Sequence, residues 1–418
     1  MIMISFFMVL ASCDFQEQWM LDVPGFTGNS ILTGTTPLSS DCGYALEGIY
    51  IVDSGNDLFG DTLVLKDTRG KISLFGYKNS AYFILGAGST GSEIRMEGYW
   101  RFAQGDETGL ARLTITGASQ LIAGDTTISN ITIDGTYSQG NSIPDKSLSM
   151  HLLNRFTWRL HTDPFIIGAH RGGGRTSDRL PVSENSVEMI NYTRHFGSTG
   201  IEIDVQLTRD RIPVLYHDGE LNVRLIQKGP VLGKIADYNY SQLTTLVRLI
   251  HGETIPTLRE ALEAAYSNPE IRTVWLDMKD PAAVKYAIPI QLEYLDKASK
   301  EGRDLQILIG IPDQDVLDNF TAYPGYKNIP SLCEISVEKV QEVNSKAWGF
   351  RWTQGLMQDE VISMHSQGRK CLVWTLDDPQ FTAIYSSAGG SDPQKRFDGI
   401  LTNYPTVLSY FHYARHNY

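Results

Sequence analysis

The chain has 418 residues, enough at roughly 100–200 residues per domain for two or three full cores. With 42% apolar, 20% charged and 10% aromatic residues it excludes wholesale disorder, collagen-like and coiled-coil readings. The net charge of -12 is shared by both parts of the chain with no Lys/Arg cluster, which excludes a nucleic-acid backbone as partner but leaves room for one anionic group held by a few placed cations or a metal.

Residues 2–11 (IMISFFMVLA) form an apolar run too short to span a bilayer but suited to a secretory signal. Leu10-Ala11-Ser12-Cys13 resembles the lipobox of bacterial lipoproteins, although no Lys or Arg precedes the run. The expectation is a signal over 1–12, a lipid-anchored Cys13, a tether over 13–40 and a place in the bacterial cell envelope. Cys333 and Cys371 are expected as packed thiols; no cysteine pair has C-x-x-C spacing.

Residues 41–137 read as about seven short alternating strands broken by glycine, at roughly ten-residue spacing: an antiparallel all-β barrel or sandwich. The phrases LEGIY, MEGYW and IDGTY each place Gly just before an aromatic position, read as strand architecture; the aromatics form either a packed core or a ligand pocket. Residues 138–163 read as a polar linker turning into an amphipathic segment.

From 164 to 418 short apolar runs alternate with helical stretches. About eight runs, Phe165–Ala169, Ile201–Leu207, Pro213–Tyr216, Thr273–Met278, Leu305–Gly310, Ala347–Arg351, Cys371–Thr375 and Gly399–Thr402, predict an α/β fold, a (β/α)8 TIM barrel with its working residues at the C-terminal strand ends.

In Ile201–Leu207 the two-residue period puts Glu202 and Asp204 on one face, where their oxygens can converge on a cation. Asp277 and Lys279 repeat the device. Three carboxylates without a histidine ligand make a hard oxygen site, suited to one divalent cation, Ca²⁺ or Mg²⁺, with Lys279 left free for an anionic oxygen. His170 and His217 end two runs and are read as an acid/base pair, with Arg171 as a planar fork for phosphate and Gly172–Gly174 as a loop that lets backbone approach a ligand.

The segments IIGAHRGGG, SEN, GIEIDVQLTRDRIPVLYHD, IPTLREALE, LDMK, VWTLD and FDGILTNYP, in this order from Phe165 to Phe411, resemble the glycerophosphodiester phosphodiesterases. The resemblance implies a TIM barrel and metal-dependent cleavage of a glycerophosphodiester to sn-glycerol 3-phosphate and an alcohol. By it Glu202, Asp204 and Asp277 look like the metal ligands, His170 and His217 like the acid/base pair, and Arg171 and Lys279 like the phosphate clamps. Glu184 would orient the first histidine or bind through water, Trp374 would line the glycerol pocket, and Leu221–Ile255 would shape its alcohol end. Three departures stand out: Asp277 where the family usually has Glu, a longer loop RTSDRLPVS before Glu184, and Asn403 in place of an acidic residue. The alternatives are a related esterase acting on lysophospholipid, phosphoinositide or envelope-polymer phosphodiesters, and a non-catalytic lipoprotein that binds an anion.

Overall fold

The computed structural model describes residues 23–415. Cys13 and the apolar run before it lie outside them. The first sheet contains β1 (Thr36–Pro37), β2 (Gly48–Ser54), β3 (Thr62–Asp67), β4 (Lys71–Gly76), β5 (Ala81–Ser89), β6 (Glu93–Phe102), β7 (Thr108–Thr116), β8 (Thr132–Tyr137) and β9 (Lys146–Arg155). Each strand from β2 to β9 pairs antiparallel with the next, and β9 returns to β2. Eight strands therefore close an up-and-down barrel and remove its edges, with β1 an outlying pair on β5.

The closing strand lies in the stretch read from sequence as a linker. Its residues Leu148, Met150 and Leu152 alternate inward, but His151 and the adjacent Leu153 mask the period. The barrel interior is solid: Phe59 makes ring contacts with Phe83, Trp100 and Tyr137 at 4.8, 5.1 and 4.9 Å. The aromatics are thus core. The glycines of the recurring phrases sit where a neighbouring strand crosses closely. A Cβ on Gly98 would lie 2.2 Å from the Ile84 carbonyl oxygen, and one on Gly135 2.0 Å from that of Arg112.

The second sheet contains β10 (Ile166–Ala169), β11 (Gly200–Leu207), β12 (Pro213–Leu215), β13 (Thr273–Met278), β14 (Gln306–Ile311), β15 (Ser331–Cys333), β16 (Ala347–Arg351), β17 (Lys370–Trp374) and β18 (Gly399–Thr402). All but β12 form a closed parallel ring, β18 returning to β10. Two expectations are corrected. The run before His217 is β12, a short strand antiparallel to β11 outside the ring, and the missing stave is the three-residue β15.

The in-register pairing stacks the interior in layers. Ile166, Trp275, Leu308, Leu332, Ala347, Leu372 and Leu401 fill one apolar layer, with Trp374 against it. One step further along the strands come His170, Asp204, Asp277, Glu334, Arg351, Trp374 and Asn403, so the apolar layer floors a polar mouth. Cys42, Cys333 and Cys371 are buried free thiols.

The two barrels share a core. Ile49, Val64, Phe75, Tyr82 and Ile84, on the outer face of the first, join one apolar cluster with Phe196, Val407 and Tyr413 of the second. At this junction the buried His195 pairs Nδ1 with Thr68 Oγ1 at 3.0 Å, and its carbonyl accepts from Ser73 Oγ. Burial, then the charges of Lys71 and Arg194, push the imidazole down to about 3. Because the unfolded chain takes up this proton near pH 6.5 and the folded one does not, stability must rise with pH across that window. We expect acidification from pH 7 to 5 to remove about 2 kcal/mol through this group alone. Urea unfolding at the two pH values, for wild type against His195→Gln, measures it.

Candidate active site

The carboxylates come from two neighbouring staves. β11 and β13 pair with Glu202 opposite Trp275 and Asp204 opposite Asp277, so the alternation that makes both strands half apolar also sets the acids at one height. Donor oxygens of Glu202, Asp204 and Asp277 lie within 4.8 Å of one another. Glu202 Oε1, Asp204 Oδ1 and Asp277 Oδ1 are buried and accept no hydrogen bond. Burial first, then Asp204 and Asp277, drives the Glu202 carboxyl well above the usual carboxylate range. Buried, mutually repelling oxygens that accept no hydrogen bond fit a hard divalent cation, which would satisfy all three. The other trio of metal-ligand side chains among the described residues, His365, Cys371 and Asp398, differs: His365 uses both ring nitrogens, on the Gln394 carbonyl and Asp398 Oδ2. It ties elements together.

Lys279 is not free as expected. Its ammonium lies 2.5 Å from Asp277 Oδ2 and 3.2 Å from Asp204 Oδ1, and this pairing raises its pKa against the opposing effect of burial. Asp204 is fixed from behind by Asn185, whose amide donates to Oδ2 at 2.6 Å and whose carbonyl accepts from the Asp204 backbone at 3.0 Å. Asn185 stands in the SEN segment, the signal that could have marked it.

His170 follows β10 directly. Its Nδ1 is 2.7 Å from Asn403 Oδ1, and the Asn403 amide in turn donates to Asp377 Oδ2 at 2.7 Å. This orients the ring with Nε2 toward the mouth, 3.7 Å from Glu202 Oε2. Burial, then the Arg171 charge, pushes His170 down to about 4, so it is neutral at pH 7. The acidic residue missing at 403 has a substitute one layer back in Asp377.

Arg171 adopts a left-handed backbone, φ +54°, which is costly for a side chain of its size. Its N–H donates to Glu202 Oε2 at 2.8 Å, and its guanidinium reaches Glu184 Oε1 and His217 Nε2, each at 2.8 Å. Glu184 therefore holds Arg171 rather than His170, with Arg224 on its other side at 3.2 Å. Within Gly172–Gly174, packing requires glycine at 173: a Cβ there would meet Met189 Sδ at 2.2 Å.

His217 Nδ1 lies 2.7 Å from Asp218 Oδ1. Burial opposes ionisation of Asp218, yet Arg224, His217 and Asn222 together hold it well below the usual range. Arg224 belongs to Leu221–Ile255, which has its own apolar core of Leu225, Ile235, Leu243 and their neighbours and so presents a rigid wall. On the far side Trp374 carries the Arg351 guanidinium 4.7 Å from its ring centre. Beside it stands Glu334, missed in the sequence because β15 is so short. Its Oε1, like the indole nitrogens of Trp275 and Trp374, has no hydrogen-bond partner. Gly349 makes the room: a Cβ there would lie 3.3 Å from Glu334 Cγ and 3.2 Å from Trp275.

His170, Arg171, Glu184, Glu202, Asp204, His217, Asp277, Lys279 and Trp374 thus all gather at one mouth. Residues 170–317 match the model of the "Glycerophosphoryl diester phosphodiesterase family". Human glycerophosphodiester phosphodiesterase 1 is 30% identical over 122 residues, 27% of this chain and 34% of that protein. A glycerophosphodiester phosphodiesterase of Bacillus altitudinis is 36% identical over 103 residues, 23% of this chain and 38% of that protein. The chain spans about a third of the length of these curated relatives. A solved glycerophosphodiester phosphodiesterase from Parabacteroides distasonis, 21% identical, covers 59% of this chain and 97% of its own at a TM-score of 0.46. Through residues 170–317, the second barrel of this chain is similar to the glycerophosphoryl diester phosphodiesterase family.

Proposed function

We propose that the second barrel hydrolyses glycerophosphodiesters to sn-glycerol 3-phosphate and an alcohol, with Glu202, Asp204 and Asp277 holding one divalent cation, Ca²⁺ or Mg²⁺. The observation that carries this reading is the trio of buried carboxylate oxygens that accept no hydrogen bond, set between His170 and the Arg171–His217 pair. When bound, the cation supplies positive charge to offset what builds on the non-bridging phosphoryl oxygens.

The chain's own groups do the rest. His170, neutral and oriented by Asn403, takes a proton at Nε2 from the attacking group, which is water in the net hydrolysis. Arg171 turns from His217 to a phosphoryl oxygen, and this frees His217 Nε2 to take a proton from solvent and pass it to the leaving oxygen while Asp218 steadies the imidazolium. Lys279, paired here with Asp204 and Asp277, would provide the second clamp where a bound cation took its place on those acids. Trp374 and Glu334 face the remaining substrate arm.

A coupled assay on glycerophosphocholine and glycerophosphoethanolamine, with Ca²⁺, Mg²⁺ or chelator, tests the reading. Metal-dependent release of sn-glycerol 3-phosphate is expected, and no turnover with any metal would overturn it. One observation favours a second substrate class: the segment Leu221–Ile255 that follows His217 in the chain carries exposed apolar side chains, Leu232 at 77% with Val223 and Leu246, which would suit a lysophospholipid chain. Lysophosphatidylcholine in the same assay separates the two. Lipid anchoring at Cys13 completes the proposal, and loss of metabolic acyl labelling in Cys13→Ser checks it; among the described residues no helix is long and apolar enough to cross a membrane.

A further inference from the structure

The first barrel carries no catalytic cluster of its own, yet one of its side chains is costly to keep. Arg101, at the end of β6, is wholly buried, and among the described residues no carboxylate is in ion-pair contact with it. A buried cation without a counter-charge must be held by strong acceptors or it destabilises the fold. Its acceptors are three carbonyls. Two belong to the second barrel: Arg179 O at 2.6 Å and Asp178 O at 3.2 Å; the third is Gly105 O at 3.2 Å.

Those two carbonyls sit in the stretch Arg175–Ser183, the loop that is longer here than the resemblance leads one to expect. Arg179 has φ +53°, a conformation its side chain disfavours, so an external hold on its carbonyl stabilises a bend the loop would not choose alone. From this point two short chains of contacts reach the chemistry. Thr176 N–H donates to Glu184 Oε2 at 2.6 Å, and Glu184 Oε1 takes Arg171 at 2.8 Å. Asp178 binds both Arg175 and the Tyr404 hydroxyl, next to Asn403, the partner of His170. A second arm of the same hairpin arrives independently: Gln104 Nε2 donates to the carbonyl of Asp377, whose carboxylate holds Asn403.

We propose that Arg101 is a positioning residue of the active site, through which the first barrel holds the loop 175–184 so that Arg171 and His170 keep their working orientation. This rests on the phosphodiesterase reading for its kinetic consequence but not for its structural one. The extended loop is then the receptor for the β domain, which explains why the departure in loop length and the extra domain occur in one chain.

The test compares Arg101→Met, Arg101→Lys and Gln104→Ala with Asp106→Ala, which cuts only the exposed Arg179–Asp106 pair across the same junction. In Arg101→Met we expect kcat to fall about 10–100-fold with KM within about twofold, as for a misplaced catalytic group. Lysine should restore part of the loss, Gln104→Ala should cost about two- to fivefold, and Asp106→Ala should leave kcat unchanged. Nitrogen-15 NMR of the histidine rings gives a readout free of turnover: His170 should show a single tautomer in wild type and an averaged signal in Arg101→Met. A folded Arg101→Met with wild-type kcat and a wild-type His170 signal overturns the proposal, as does a loss that Asp106→Ala shares equally. If Arg101→Met does not fold, Gln104→Ala decides, and unchanged kcat and His170 signal there overturn it. An inactive wild type would remove the phosphodiesterase reading instead, and the NMR comparison would still settle this one.

Discussion

Alanine at His170 is expected to lower kcat about 10³-fold with little change in KM, and alanine at His217 to lower kcat nearly as far. The reasoning is geometric. Each imidazole has one nitrogen committed to an orienting partner, Asn403 for His170 and Asp218 for His217, which leaves one nitrogen per ring aimed at the mouth. Neither ring can replace the other, because the two are separated by the Arg171 guanidinium and the carboxylates. The double variant should therefore be little worse than either single one, as for groups that act as a unit. The two rings differ in one testable way. His217 accepts from Arg171 in the resting site, so His217→Ala releases an arginine, whereas His170→Ala releases only Asn403. We expect His217→Ala alone to change KM for the phosphodiester, downward, as the freed guanidinium binds phosphate more readily. Steady-state kinetics over a range of glycerophosphocholine concentrations checks both parts, and a tenfold or smaller loss of kcat in either variant would remove it from the chemistry.

Much of this site was legible because a parallel strand buried on both faces leaves a strict two-residue alternation, and polar residues interrupting it at the C-terminal end stand out. Glu202 with Asp204, and Asp277 with Lys279, are visible for that reason. Glu334 was not, since its strand is three residues long and a period cannot be read from Ser331–Cys333. The count of eight staves came out right through two opposite errors. Pro213–Tyr216 has the composition of a buried strand because it packs on β11, but a three-residue return after β11 can only make an antiparallel neighbour, not a parallel stave, which needs a crossover. The partners of the catalytic candidates were harder still. Nothing local in the sequence says that Asn403 faces His170, 233 residues away, or that Glu184 holds Arg171 and not a histidine. The first contact follows from barrel closure, which brings the first and last staves together, and the second from the fold of the loop after β10. The role of Arg101 is more distant again, since it depends on how the outer face of one barrel lies on the loops of another.

Glutamine at Glu202 should abolish metal-dependent turnover and, without metal, make the protein more stable than wild type. Glu202 Oε2 accepts the Arg171 N–H, a role the Gln carbonyl keeps, so the left-handed turn at Arg171 loses no partner. The other oxygen, Oε1, is buried and unpaired beside Asp204 and Asp277, and there the substitution places an amide N–H₂ that can donate to a carboxylate. A repulsion becomes a hydrogen bond, for a gain of about 1–2 kcal/mol in the metal-free state. For Asp204→Asn the gain should be smaller, because Asp204 already has Asn185 and Lys279 to hold its charge. With saturating Ca²⁺ or Mg²⁺ the order should invert: wild type rises in Tm by binding linkage while Glu202→Gln barely moves. That order would mean that stability is traded for cation binding, as active sites commonly require. Thermal melts of both proteins with chelator and with each metal decide the matter. A Glu202→Gln variant less stable than wild type in chelator, or one that still gains Tm with metal, would mean that these three carboxylates are not the ligand set.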